Sequence, residues 1–137
     1  MIVPLNMFYD VPTLNGNKYP REILEPQFKQ KVVEHLLFVL PLESFYKLDS
    51  KASLSLMNVA AIVHSIKEED ESLFLDIKVN NNEAGALLQK AMDEQDIEFS
   101  IAGCGEIDEQ DTVKNYELSC IIYSKKWLIF YILKREI

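Results

Sequence analysis

The sequence predicts an α+β fold: a small, mainly antiparallel β-barrel or curled sheet of about six or seven strands, flanked by roughly two or three helices. Three observations carry that expectation. β-Branched and aromatic runs recur at 2–9, 36–42, 54–66, 72–79, 96–101 and 113–123. Apolar residues at helical spacing are confined to stretches near 20–35 and 83–95. Turn-forming or acidic segments separate the strand runs, with the pattern of neighbouring hairpins. The 137 residues suffice for one domain, 1–137, whose core needs neither metal nor disulfide.

In chain order, Ile2 to Tyr9 is the opening strand, ended at Asp10. Asn15-Gly16 marks a tight turn, and Pro20 stands where a short helix can begin without losing a needed N–H. Tyr19, between them, is expected to be buried. Pro26 can interrupt this helix, while Phe28, Val32, Val33 and Leu36 predict a second helical piece from about Pro26 to His35. Leu36 to Leu42 reads as a buried strand ending at a proline, and 43–53 as a loop. Strands follow at 54–66 and 72–79, split by Lys67-Glu-Glu-Asp-Glu71 as a solvated hairpin turn. Asn80 to Asn82 caps a helix running through Glu83 to Gln95, with Ala84, Leu87, Leu88, Ala91 and Met92 on one face. That helix leads to a short strand bearing Ser100, expected at its exposed edge because Gly103 and Gly105 end the run. Val113 to Tyr123 is its partner strand across the acidic loop Asp108 to Asp111. Residues 125–137 add a carboxyl-terminal strand in which Trp127, Phe130 and Tyr131 offer more aromatic surface than one core absorbs, so they are the candidate binding residues.

Composition narrows the function. A net charge of −8, with no basic cluster interleaved with aromatics, argues against direct nucleic-acid binding. The amino terminus lacks the basic flank and apolar run of a signal peptide, and the apolar run 127–133 is too short to span a membrane, so a soluble, intracellular protein is expected. Cys104 and Cys120 fall on neighbouring strand candidates, a placement that leaves pairing open, although thiols without an export signal are expected reduced. No His/Cys/Asp/Glu cluster has metal-ligand spacing and no phosphate loop is present, so no cofactor is expected.

The segment Leu14-Asn-Gly-Asn-Lys-Tyr-Pro-Arg-Glu-Ile-Leu24, followed by Asn58-Val-Ala-Ala-Ile-Val63, Asn82-Glu-Ala-Gly85 and the Ser100 strand leading to Val113-Lys-Asn-Tyr-Glu-Leu118, resembles the tailed-phage prohead (capsid maturation) serine proteases, which share their fold with herpesvirus assemblin. The resemblance covers about Leu14 to Tyr123, and it places Ser100 at the nucleophile position. It also implies a histidine base after the first long apolar strand, where this chain has Ser44 or Phe45. The acid expected near the end of the partner strand is replaced by Ile122, and a basic residue beside the oxyanion site is missing from Ile101-Ala102-Gly103. A serine hydroxyl without a base is a poor nucleophile at neutral pH. The resemblance therefore implies a catalytically degenerate member, with Ser100 vestigial and no catalytic residues expected.

Three functions follow from that reading. One is a non-catalytic virion or head structural or auxiliary protein in the phage head, assembled in the host cytoplasm, that binds capsid, other virion proteins or further copies of itself as an oligomer, without nucleic acid or membrane. A second is an active prohead maturation endopeptidase in which His64 or His35 serves Ser100. The third is a regulatory module presenting a peptide groove by strand addition.

Overall fold

The computed structural model describes residues 1–13, 15–42, 58–94 and 96–125. Within them lie six strands and two helices: β1 (Ile2–Leu5), α1 (Arg21–Val33), β2 (Phe38–Pro41), β3 (Ala61–Glu69), β4 (Ser72–Val79), α2 (Glu83–Glu94), β5 (Ile97–Ile107) and β6 (Val113–Lys125). The strands close into a barrel in the order β1-β4-β3-β2-β6-β5. The long pairings β3–β4 and β5–β6 are antiparallel, as are β1–β4 and β2–β3. Two parallel seams complete the ring: β2 beside β6 from Val39 to Pro41, and β1 beside β5 at Leu5 and Phe99. This is the α+β barrel that the periodicities predict. The expected carboxyl-terminal strand with Trp127, Phe130 and Tyr131 lies outside the described residues, as do Ser44 and Phe45.

Several elements differ from expectation for identifiable reasons. β1 stops at Leu5, since the Asn6 N–H still donates to the Phe99 carbonyl but the chain then turns away, with Asp10 at φ 61°. Met7 and Tyr9 remain buried without ladder bonds. α1 runs unbroken through Pro26 instead of dividing there. The proline sits near the amino-terminal end, where its ring costs one helical hydrogen bond, and burial of Leu24 and Phe28 on either side offsets that loss. Pro20 is the residue before the helix, with extended backbone at ψ 136°, rather than its first helical residue.

The charged run 67–71 is mostly strand, its first three residues closing β3. Pairing continues to Glu69 opposite Ser72, and only Asp70 and Glu71 form the turn, both at positive φ as a two-residue hairpin of the primed type requires. β5 is likewise longer than expected. Gly103 and Gly105 do not end it; they lie inside it, at shifts in register with β6. A Cβ on Gly103 would lie 2.2 Å from the Glu117 carbonyl oxygen and 2.6 Å from the Tyr116 hydroxyl, so the glycine makes room for a crossing tyrosine rather than for a turn.

Side chains alternate across β5 and β6. Phe99, Ile101, Leu118, Ile121 and Tyr123 join the main core with Leu5, Val39, Val63, Leu75, Leu24 and Phe28. Ala102, Cys120 and Ile122 lie on the opposite face and form a second buried cluster with Leu40 and Leu42. α1 closes one side of the barrel. Its Gln27 amide donates to the Tyr116 carbonyl at 2.8 Å and accepts from the Leu118 N–H at 2.7 Å, occupying the edge of β6 as a neighbouring strand would. At the start of α2, Asn82 Oδ1 accepts from the Gly85 N–H at 2.7 Å, which is the cap that the asparagine run predicts.

Candidate functional site

Ser100 sits in the middle of β5, directly opposite Ile122 of β6, and is buried rather than at an exposed edge. The correction follows from strand length: because β5 continues to Ile107, Ser100 is flanked by ladder on both sides. It shares a face with Ala102, two residues on, and with the apolar cluster of Cys120, Ile122 and Leu40. Leu40 is aligned with Ile122 on its other side, so three adjacent strands present Ser100, Ile122 and Leu40 in a row. The position at which the sequence resemblance seeks an acid is thus beside the serine, and it carries isoleucine.

Among the described residues, polar side chains border Ser100 on one side. A space of about 10 Å³ is bordered by Asn6, Thr13, Asn15, Tyr19 and Ser100. That is room for a single water and excludes a peptide side chain. The bordering turn is tightly organised. The Thr13 N–H donates to the Asn17 carbonyl and the Gly16 N–H to the Thr13 carbonyl, each at 2.9 Å, and Gly16 adopts φ 88°. The Asn15 side-chain oxygen accepts from the Thr13 hydroxyl and from the Asn17 N–H. Tyr19 is buried, as expected, and meets Tyr116 edge to face at 5.2 Å between ring centroids. Burial pushes the phenols of both tyrosines upward, so neither offers a phenolate at neutral pH.

The chain has two histidines, and the fold keeps both away from Ser100. His64 is the extra residue at the register shift between Val63 and Ser65 of β3, and its side chain is exposed. β3 lies diametrically opposite β5 in the six-strand ring, and the core fills the space between. His35 occupies the residue just past the α1 C-cap, at φ 57°. Its N–H donates to the Val32 carbonyl while that of Leu36 donates to Lys31, the double hydrogen bond of a left-handed helix stop. It precedes Leu40, which is itself two strand spacings, ~10 Å, from Ser100. Neither imidazole meets the serine hydroxyl.

Periodicity alone could have revealed one further residue, because Glu98 alternates onto the face of Ser100. Its carboxylate accepts from the Asn6 side-chain amide at 2.6 Å, tying β5 to the end of β1. Cys104 and Cys120 are both free thiols. Cys104 is opposite Glu117, whereas Cys120 is opposite Ala102, so the bulged ladder holds them out of register. Among the described residues, no group of three or more His, Cys, Asp or Glu can hold a metal, and no helix is long and apolar enough to cross a membrane.

In overall shape the barrel is similar to the bacteriophage T4 capsid assembly protease, gp21, with a TM-score of 0.68 over 90% of this chain and 81% of that one. The chain shares the fold of a phage prohead protease. Sequence identity over that match is 14%, so the likeness speaks to the fold. No family model and no curated protein matches the chain by sequence.

Proposed function

We propose that this chain is a non-catalytic head protein built on the prohead-protease fold, binding capsid or other virion chains instead of cleaving them. The supporting observation is the row of Ser100, Ile122 and Leu40, a nucleophile position walled by apolar side chains, with both histidines of the chain held elsewhere. Among the described residues, no histidine is hydrogen-bonded to this serine to take its proton. Packing isoleucine and leucine there stabilises the second buried cluster, whereas an unpartnered polar triad in the same place would cost stability. The fold supplies the phage context by analogy with its structural neighbour.

Three measurements test this. Purified full-length protein treated with a fluorophosphonate should show no mass increase, and Ser100→Ala should leave head assembly and the processing of head proteins unchanged. An adduct that maps to Ser100, or loss of processing in the variant, would establish a maturation endopeptidase in its place. Mass spectrometry of purified particles tests the location, and absence of the chain from both proheads and mature heads would remove the structural role.

A further inference from the structure

A second unfilled feature of the described surface lies away from Ser100. It is a groove of about 390 Å³ between α1 and the β3–β4 hairpin, on the far side of the barrel. Val32, Val33 and Ile66 line it, with Glu25, Lys29 and Glu68 along its rim. Val33 is 77% exposed at the helix's last turn, although it sits beside other apolar residues. One end of the groove runs toward the hairpin tip, where Glu68, Glu69, Asp70 and Glu71 follow in sequence against the single cation Lys67. Arg21 holds Glu68 by two hydrogen bonds, of 2.7 and 3.1 Å, and is shared with Glu25, which fixes the rim. The remaining tip acids stay exposed to solvent.

An occupant of this groove must be apolar in its body and basic at an end. The same sequence contains such a segment, since Trp127-Leu-Ile-Phe-Tyr-Ile-Leu133 is flanked by Lys125-Lys126 and by Lys134-Arg135. We infer that the α1/β3–β4 groove of one copy receives the Lys125–Arg135 segment of a second copy, with the basic flank on the acidic hairpin tip. Groove and segment are different surfaces of one chain, so the contact is heterologous and each subunit can give and receive. Charge complementarity sets the direction in which the segment lies, and burial of apolar side chains on Val32, Val33 and Ile66 supplies the affinity. The inference is independent of whether Ser100 reacts, and its test is separate from that of the proposed function.

Sedimentation of the full-length chain over a range of concentrations reads the contact directly. Wild type should self-associate. Val33→Glu, a change at an exposed position that leaves the unfolding midpoint in place, should weaken association about tenfold or more by putting a charge against the apolar segment. Lys134→Glu with Arg135→Glu, also surface changes, should weaken it by repulsion from the hairpin tip. Mixed together, the Val33→Glu chain keeps its segment and the doubly substituted chain keeps its groove, so the mixture should regain a heterodimer that neither forms alone. A wild-type chain that stays monomeric, a Val33→Glu chain that associates as wild type does, or a mixture that remains monomeric overturns the inference.

Discussion

Ser100 is set among apolar neighbours on its own face of the sheet. Its hydroxyl is intact, yet the cross-strand partner is Ile122 and the space beside it is about 10 Å³. The same face holds a buried thiol, Cys120. Burial raises its thiol pKa to about 12, against a smaller opposing effect of Lys31, so almost no thiolate exists at neutral pH. Cys104 is exposed on the same hairpin. Titration of the native protein with a chromogenic disulfide should therefore consume one thiol rapidly, and the second only in denaturant. Rapid reaction of both in the native state would show that the cluster around Cys120 opens to solvent.

At the scale of the elements, α1 does the work of a missing strand, and Gln27 is the residue through which it does so. Replacing it by leucine keeps the volume but removes the Gln27 bonds to the Tyr116 carbonyl and the Leu118 N–H at a partly buried edge. The expected loss is roughly 2–3 kcal/mol in chemical denaturation; a change within experimental scatter would mean that water replaces the amide without cost. The β5–β6 connection depends on charge in a different way. Asp108 accepts backbone N–H bonds from Gln110 at 2.8 Å and Thr112 at 3.0 Å, and these bonds, with the Thr112 one larger, hold its carboxyl below the usual 3.8. A depressed folded pKa contributes order that is complete above the unfolded value and is lost as pH falls through the folded one. Protection of the Gln110 and Thr112 amides from exchange should thus be constant near neutrality and decline only below pH 3.8, and Asp108→Asn should flatten that decline. What is legible in sequence follows the same division between local and distant causes. The helix cap at Asn82, the turn at Asn15-Gly16 and the buried Tyr19 are written in adjacent residues. The role of Gly103 is not, because the side chain it accommodates is Tyr116 of the partner strand, and nothing local distinguishes such a glycine from one in a turn.

For the whole molecule, alternation and turn chemistry account for the strands but not for how the ring closes. The two parallel seams join segments far apart in the chain, and Leu5 opposite Phe99 is a pairing with no local signal. The candidate site divides similarly: the serine strand and Ile122 of its partner strand are readable from residue order, whereas the approach of Thr13, Asn15 and Tyr19 to Ser100 comes from the tertiary fold, in which Lys18 bridges to Thr112. The closure also has a mechanical meaning. Two long hairpins are stiff plates, and the short strands β1 and β2 are the stitches between them. A pull on the amino terminus loads the four-residue stitch β1 first, whose bond to β5 is a single pair plus the Asn6 N–H. The ring would then yield by unzipping along one line into a curled sheet, with both plates intact, and could snap shut again without refolding either of them.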